Sequence, residues 1–469
     1  MLFSSSVFLF IFLPILCAVY FFCNKKWHNT ILLIASLLFY AWGEPKFLAI
    51  MLLSIFINWL GAVLIDKFSG KLNLKKFALI STITLNLSLL IYFKYFNFLI
   101  ENFNNIFHGN ISLIKIILPL GISFYTFQAL SYVIDVFRGE CKAQKNIFKL
   151  ALYICLFPQL IAGPIVKYHD IAEQIDSREV NFEKVSEGVK RFIIGLSKKM
   201  LIANTMGAIA NEVFSQNPDD FSPLIAWLGT ITYSFQIYYD FSGSSDMAIG
   251  LCLIFGFRIM ENFNYPYISK SITEFWRRWH ISLSTWFKQY VYIPLGGNKY
   301  GRLKQFRNLG IVFLLTGIWH GAAWNFIIWG IWNGALIIME KLTGIADDSK
   351  SAFANALKHI YFLTVLIIGW VIFRAEDLKY AKEYLLNMIG CLKLSPEEYE
   401  YTIHYYIGGY EIIIILIALI CAVPVFKNMI NVQNKLGRIC VNIWLLVLFI
   451  LCSAAIATDT YNPFIYFRF

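Results

Sequence analysis

The stretch that decides the fold class of this chain is Leu314-Leu315-Thr316-Gly317-Ile318-Trp319-His320-Gly321-Ala322-Ala323-Trp324. With its flanks, this apolar run is long enough to cross a lipid bilayer as a helix. His320 is ionisable, and no other side chain is ionisable for about two helical turns on either side. Because an ionisable group is costly to bury in such a setting, His320 is a functional candidate.

Histidine takes up and releases a proton near neutral pH, so His320 is a candidate general base. The alternative is a neutral imidazole that only forms a hydrogen bond with a neighbouring helix. The other polar stretches of the chain favour a chemical role.

The composition of the whole chain agrees with this stretch. Of its 469 residues, 58% are hydrophobic and only 15% are charged, and apolar runs recur from end to end. We therefore predict an all-α, multi-pass membrane protein that forms one membrane domain over residues 1–469. The segment 2–23 lacks a basic start and a cleavage site, so we expect it to be a retained span rather than a signal peptide.

Hydropathy predicts thirteen candidate spans, and we expect about eleven to be true transmembrane helices, with the others re-entrant or interfacial. The candidates are 2–23, 29–42, 46–65, 78–98, 116–137, 148–166, 190–213, 224–239, 244–257, 309–337, 358–373, 411–425 and 441–458.

The net charge of +11 lies mainly in short loops between spans, which argues for orientation in a membrane rather than for nucleic-acid binding. The basic loops contain Lys25 and Lys26, and residues 67–76, 299–307 and 427–438. We expect these loops in the cytoplasm. The segments expected outside, together with both termini, are 43–45, 101–110 and 376–411.

The nine cysteines are scattered and show no CxxC or Cys/His ligand spacing, so no metal site is expected. The P-loop, the GxSxG motif, the dinucleotide fingerprint and the HExxH motif are absent from the sequence. No inverted repeat of the transporter kind is evident either.

A second histidine, His280, lies in a stretch rich in aromatic residues. At helical spacing His280 shares one face with Trp276, Trp279, Leu283, Phe287 and Tyr290. It is either a core residue or a second polar group in the cavity of His320. The neighbouring Arg277 and Arg278 could pair with Glu274, meet a phosphate at the membrane edge, or bind the phosphates of a donor such as coenzyme A.

A third polar stretch covers residues 233–246. We predict that it breaks the chain into two short helices, with Ser244 or Ser245 capping the second and Asp246 in its first turn. Gln236 and Asp240 lie one turn apart and could line a cavity. Near His320, the pairs Gly317/Gly321 and Gly330/Gly334 have the small-xxx-small spacing that lets helices approach closely. The same glycines could equally leave room for a thin substrate beside the imidazole, although packing alone accounts for the second pair.

Six stretches together resemble the membrane-bound O-acyltransferase family, in particular its bacterial branch of alginate and peptidoglycan O-acetyltransferase components. They are Leu118–Gln128, Phe157–Pro164, Gln236–Gly243, Trp276–His280, Tyr292–Asn298 and Gly317–Ala322, and the ending Asn462–Phe469 is also similar.

The resemblance implies that His320 is the catalytic histidine and His280 the second polar residue of the site. It implies a protein thinned around a central tunnel, with the acyl donor reached from the cytoplasm and the acceptor from outside. Bacterial members of this branch usually pass the acyl group to a partner protein or a glycan.

The main hypothesis is transfer of an acetyl group across a bacterial inner membrane, from a thioester to an envelope polysaccharide or to an esterase-like partner transferase. The expected donor is acetyl-CoA, and we expect no tightly bound cofactor. Two alternatives stay open: D-alanyl transfer to teichoic acid, and a transporter or flippase in which His320 relays protons.

Overall fold

The computed structural model describes residues 1–160, 163–347, 349–392, 402–426 and 434–458. Within these ranges the regular structure is helical, without strands, which confirms the predicted all-α class. Several predictions lie wholly or partly outside the described residues: the place of Lys427, the acidic part of segment 376–411, two residues of the Phe157–Pro164 stretch, and the C-terminal ending.

The chain divides into two compact units. The first contains Met1–Phe192 and Ser245–Met260, and the second contains Ile193–Ser244 and Glu261–Phe469. The single membrane domain stays a prediction.

The helices of the first half begin with α1 (Phe8–Phe22), which starts with a π-helical turn. They continue with α2 (His28–Gly43), α3 (Leu48–Lys67), α4 (Leu72–Phe107, π-helical at Ile91–Tyr95), α5 (Ile122–Arg138), α6 (Ile147–Cys155), α7 (Phe157–Leu160), α8 (Tyr168–Asp176), α9 (Phe182–Phe214, π-helical at Lys198–Ala203) and α10 (Pro223–Ile254).

The helices of the second half are α11 (Ile272–Arg278), α12 (Ile281–Phe287), α13 (Arg302–His320), α14 (Trp324–Thr343), α15 (Ala352–Arg374), α16 (Leu378–Met388), α17 (Ile403–Tyr406), α18 (Gly409–Cys421) and α19 (Lys435–Thr458). A π-helical segment, Lys288–Tyr292, extends α12.

Six helical segments within the described residues are long and apolar enough to cross a membrane. They are Pro45–Lys67, Leu72–Phe107, Phe182–Phe214, Trp324–Thr343, Ala352–Arg374 and Lys435–Thr458. Phe8–Phe22 and Gly409–Cys421 are shorter apolar helices. The chain is thus a multi-pass membrane protein, and the number of about eleven crossings stays a prediction.

Buried polar side chains hold helices of the first unit together. Asn58 of α3 and Asn86 of α4 exchange amide hydrogen bonds of 2.9 and 3.0 Å. Such pairs supply directional contacts where the surroundings are as apolar as lipid.

The predicted span 148–166 is not one helix. Helix α6 ends at Cys155, and a separate helix, α7, begins at Phe157. Pro158 lies in the first turn of α7, where the missing N–H of proline is tolerated. The N–H of Phe157 at the break donates to Ser36 Oγ at 3.1 Å, so the interruption leaves that group paired.

Candidate active site

His320 is the last residue of α13, and the chain leaves that helix through an extended Gly321. Because α14 begins at Trp324, the two helices form a hairpin joined by residues 321–323. The prediction of one span over 309–337 with His320 near its middle is therefore wrong. The reason lies at Gly321, where the ring of Phe326 packs into the space that a Cβ would need.

Gly317 and Gly330, one glycine from each small-xxx-small pair, face one another across this hairpin, while Gly321 and Gly334 face phenylalanine side chains. A Cβ on Gly317 would lie 3.2 Å from the Cα of Gly330 and against the carbonyl oxygen of Phe326. A Cβ on Gly334 would lie 3.0 Å from the Cβ of Phe313. The close approach of α13 and α14 thus depends on the absence of side chains, as the spacing indicated.

Aromatic rings surround the His320 imidazole, whose residue is only 3% exposed. Its ring centroid lies 4.9 Å from that of Trp319, 4.9 Å from that of Trp329 and 5.2 Å from that of Phe373. All three neighbours meet it at steep angles, edge to face. This cage keeps bulk water from the imidazole, which suits a base that acts on a bound reactant.

His280 forms a corner between α11 and α12 rather than a position on one long helix. Its backbone is left-handed, with φ 44° and ψ 53°. Two backbone hydrogen bonds to residues 262–264 accompany this break between the helices. The N–H of Asn264 donates to the carbonyl oxygen of Arg278, and the N–H of Ile281 donates to the carbonyl oxygen of Asn262. The prediction of a continuous helical face through Trp276 and Tyr290 is therefore wrong, although its aromatic residues are buried.

The side chain of His280 is buried and oriented by Asn262. The Oδ1 atom of Asn262 accepts from Ser282 Oγ at 2.8 Å and lies 3.2 Å from His280 Nδ1. Because an amide oxygen only accepts, Nδ1 carries the proton and Nε2 carries the lone pair. Burial lowers the pKa of His280 to about 3, so the imidazole is neutral at physiological pH.

One ring links the two histidines. The Trp319 centroid lies 6.0 Å from that of His280 and 4.9 Å from that of His320. Phe241 of α10 contacts His280 edge to face at 4.7 Å. The structure therefore brings both sequence-predicted histidines into one aromatic cluster, and their catalytic roles stay predictions.

The two arginines before His280 have different surroundings. Arg278 Nε donates to Glu274 Oε1 at 2.8 Å, and its Nη1 donates to the carbonyl oxygen of Asn264 at 3.1 Å. The predicted pairing with Glu274 is thus found for Arg278. Arg277 is exposed, which leaves its guanidinium accessible to an anion.

Gln236 and Asp240 are buried in α10, which is one continuous helix. The predicted break into 224–239 and 244–257 is therefore wrong. The Asp240 carboxylate pairs with Lys199 Nζ at 2.6 Å, and both side chains are almost fully buried. Gln236 packs where Gly207 of α9 leaves room for its amide.

Asp246 is not a first-turn residue, and Ser244 and Ser245 cap no helix end. Asp246 lies within α10 and accepts from Arg191 Nε at 2.8 Å. Because ion pairing neutralises these carboxylates, the polar stretch does not need a loop to satisfy its charges.

Three further residues shape the site, and the sequence reading did not single them out: Asn262, Lys199 and Glu340. Glu340 is fully buried and accepts from the N–H groups of Ile272 and Thr273 at 2.6 and 2.8 Å, which anchors the start of α11. The available signal was a charged residue within an otherwise apolar helix, although Lys199 follows Lys198 and Glu340 precedes Lys341. Asn262 offered none. In the described ranges, no group of three His, Cys, Asp or Glu side chains is arranged to hold a metal ion.

Several known proteins are similar in sequence to this chain. The sequence model of the membrane-bound O-acyltransferase family matches residues 142–367. The probable alginate O-acetylase AlgI of Pseudomonas putida is 38% identical over the whole of both chains. The peptidoglycan O-acetyltransferase of Helicobacter pylori is 36% identical, over 83% of this chain and 80% of that protein.

A more distant relative is the teichoic acid D-alanyltransferase of Bacillus subtilis. It is 32% identical over 46% of this chain and 58% of that protein. The matched family segment contains both His280 and His320. The similarities to the Pseudomonas putida and Helicobacter pylori proteins extend well beyond that segment.

Proposed function

This chain belongs to the membrane-bound O-acyltransferase family, and from that premise we propose that it acetylates an envelope polysaccharide on the outer side of the membrane. The donor is a thioester on the cytoplasmic side, most simply acetyl-CoA. The acceptor is a peptidoglycan or an alginate-like polysaccharide, reached directly or through an extracytoplasmic esterase-like transferase. The observation that carries the proposal is the caged, buried His320 in a chain similar end to end to a probable alginate O-acetylase.

In the proposed reaction His320 acts as the general base. An acceptor hydroxyl gives its proton to the imidazole while its oxygen attacks the thioester carbonyl. The tetrahedral intermediate collapses, the C–S bond breaks, and the departing sulfur takes the proton from the imidazolium. The products are an acetyl ester and a free thiol, and general-base assistance of this kind contributes roughly 10²–10⁴-fold in rate.

His280 acts as the second polar residue. Its neutral imidazole is held by Asn262 through Nδ1, so Nε2 is left as the acceptor nitrogen of the ring. From its place on the other side of Trp319, it orients either the acceptor or the thioester.

Four residues are proposed to serve the donor. Arg277 is exposed and binds its phosphates, with Arg278 beside it engaged by Glu274. Gln236 and Asp240 lie one turn apart in the buried part of α10, where they are proposed to contact the donor. Lys199 offsets the charge of the Asp240 carboxylate, which would otherwise repel an anionic donor.

The location follows the same reasoning. The chain is a multi-pass membrane protein, and we propose the bacterial inner membrane, with the basic loops inside and both termini outside. Membrane lipid surrounds its exposed apolar helices.

D-alanyl transfer to teichoic acid is the second candidate, favoured by the similarity to the Bacillus subtilis relative. That similarity covers about half of the chain, whereas the O-acetyltransferase similarities cover most or all of it. Acetyl transfer is therefore the stronger proposal. Membership of an acyltransferase family leaves the transporter hypothesis without support.

The test is the replacement of His320 by Gln, which keeps hydrogen bonding but cannot accept a proton at neutral pH. We expect His320→Gln to insert normally and to lose acetyl transfer as completely as His320→Ala does. The measurement is ester-bound acetate on the envelope glycan, with ester-bound D-alanine quantified in parallel. Retained acetylation in His320→Gln would contradict the general-base role, and loss of D-alanine alone would favour the second candidate.

A further inference from the structure

A buried amide oxygen lies at the same end of the α13–α14 hairpin as His320. Asn325 is in the first turn of α14 and is 4% exposed. Its Nδ2 donates to the carbonyl oxygen of Ala375 at 2.8 Å, which fixes the plane of the amide. Among the residues that the structure describes, none donates a hydrogen bond to Asn325 Oδ1.

Asn333, on the same helix and also 4% exposed, is a buried amide in which both the oxygen and the nitrogen are paired. Its Oδ1 accepts from Trp276 Nε1 at 3.1 Å, and its Nδ2 donates to the carbonyl oxygen of Trp329 at 2.9 Å. Buried acceptors are nearly always paired, because an unmade hydrogen bond forfeits the hydration that burial removed. The oxygens of Gln159 and Asn387 also lack a donor among the described residues, so it is the place of Asn325, at the His320 end of the hairpin, that points to a donor arriving with a ligand.

The surroundings connect this oxygen with the candidate base. The Phe373 ring contacts both His320, at 5.2 Å, and Phe326, at 5.0 Å. Asn325 precedes Phe326 in the chain, and Ala375, its hydrogen-bond partner, comes two residues after Phe373. The end of α13, the start of α14 and the end of α15 thus meet around one group of side chains.

We propose that Asn325 Oδ1 is a specificity determinant for the acceptor and accepts a hydrogen bond from a sugar hydroxyl next to the one that is acetylated. The attacking hydroxyl gives its proton to His320, so the donor to Asn325 is a neighbouring hydroxyl of the same sugar. The ligand class is a saccharide with vicinal hydroxyl groups, such as the uronic acid residues of alginate, whereas the substituted amino sugars within a peptidoglycan chain have no free vicinal pair. This inference rests on the proposed function, and it adds the selection of a sugar diol over a simple alcohol.

The test uses membrane vesicles that contain the full chain, acetyl-CoA as donor, and two acceptor probes, an alginate oligosaccharide and a peptidoglycan oligosaccharide. The wild type should acetylate the alginate oligosaccharide in preference to the peptidoglycan oligosaccharide. For the alginate probe, Asn325→Ala should raise the acceptor KM about tenfold, the equivalent of one hydrogen bond. The KM for acetyl-CoA should stay unchanged.

Asn333→Ala is the matched control, since it removes an equally buried amide whose hydrogen bonds are internal. It should lower the yield of folded protein and leave the acceptor KM within about twofold of wild type. An acceptor sugar that lacks the neighbouring hydroxyl gives a measurement independent of how the variants fold. Its KM should be raised about tenfold for the wild type and should not be raised further for Asn325→Ala.

Two results would overturn the inference while the proposed function stands: an unchanged acceptor KM in Asn325→Ala, or an equal rise in the KM for acetyl-CoA. Acetylation of the peptidoglycan probe alone would be a third such result. Failure of the wild type to acetylate either probe would overturn direct transfer to a glycan and this inference with it, whereas full activity in His320→Gln would overturn the proposed function.

Discussion

His280 and His320 share Trp319 as a neighbour but differ in what holds them in place. His280 has a left-handed backbone and a side chain held by Asn262. His320 ends a helix and is enclosed by the edges and faces of aromatic rings. A substitution at His280 therefore tests backbone strain, hydrogen bonding and chemistry together unless the replacement is chosen to separate them.

Asparagine is the replacement that separates these effects, because it tolerates the left-handed region and still offers an N–H to Asn262. We expect His280→Asn to be extracted from membranes in near wild-type amounts but to transfer acetyl groups more slowly per molecule. The measurement is the rate of glycan acetylation divided by the amount of folded protein. An unchanged rate per molecule would remove His280 from the site.

The same variant tests the effect of burial on protonation. The pKa of His280 is about 3 in the folded protein, against about 6.5 in an unfolded chain. Between these values only the unfolded chain binds the proton, so the free energy of unfolding falls as pH decreases from about 6.5 to about 3. At neutral pH the group makes no such contribution, since both states are deprotonated.

His280→Asn should lose this part of the pH dependence, which has a slope of at most about 1.4 kcal/mol per pH unit. The measurement is the difference in thermal midpoint between wild type and variant in detergent, at several pH values from 7 to 4. Parallel curves for the two proteins would contradict the lowered pKa.

The element that decides the position of His320 is the hairpin of α13 and α14. Its helices touch through glycine, and the turn at 321–323 brings the histidine to the end of the hairpin. Hydropathy predicted one long span over residues 309–337, because the two helices and the short turn between them are all apolar. The end of α13 at His320, the start of α14 at Trp324 and the packing of Phe326 over the extended Gly321 together mark where the chain reverses.

Two glycines of α13 make a matched pair of variants. A Cβ on Gly317 would collide with α14, whereas no atom outside the local helix lies within 4 Å of a Cβ built on Gly310. We expect Gly317→Ala to destabilise the protein by about 1–3 kcal/mol through overpacking. Gly310→Ala should be neutral or stabilising by up to about 1 kcal/mol, because alanine is the better helix former.

Thermal unfolding of the two variants in detergent, with acetylation measured alongside, tests the hairpin. Equal effects of the two substitutions would show that α13 and α14 do not approach as closely as described.

At the scale of the whole molecule, charge has two separate roles. Exposed lysines and arginines in short loops are the basis of the proposed orientation, while the buried pair Lys199–Asp240 and the part-buried pair Arg191–Asp246 neutralise polar positions inside helices. The proposed orientation rests on the loops alone, since these two pairs carry no net charge.

Cysteine labelling tests the orientation. In a variant with the exposed Cys23, Cys391 and Cys440 replaced by Ser, a cysteine placed at Lys304 should be protected from a membrane-impermeant reagent in intact cells. A cysteine placed at Asn105 should be labelled there, and both should be labelled after permeabilisation. Labelling of the Lys304 position in intact cells would reverse the proposed topology.

Much of the class of this protein could be predicted from its sequence. The all-α membrane fold, the acyltransferase family and the stretches around the two histidines follow from composition and from short motifs, which are local properties of the chain. The helix boundaries were harder to predict: residues 233–246 were expected to form a break, yet α10 runs through them. The break was expected because Asp240 and Asp246 are polar residues in an apolar stretch. Their partners, Lys199 and Arg191, are distant in sequence and could not be identified from it.

The sequence by itself therefore determined that the chain is embedded in a lipid bilayer, that its motifs belong to an acyltransferase family, and that His320 is the candidate base. Only the tertiary structure decided that His320 ends a helix, that His280 is a left-handed corner held by Asn262, and that Lys199 neutralises Asp240. The physical reason is that hydropathy and periodicity sum over neighbours in the chain. Pairing of a buried charge or amide depends instead on residues distant in sequence, which only packing brings within hydrogen-bond distance.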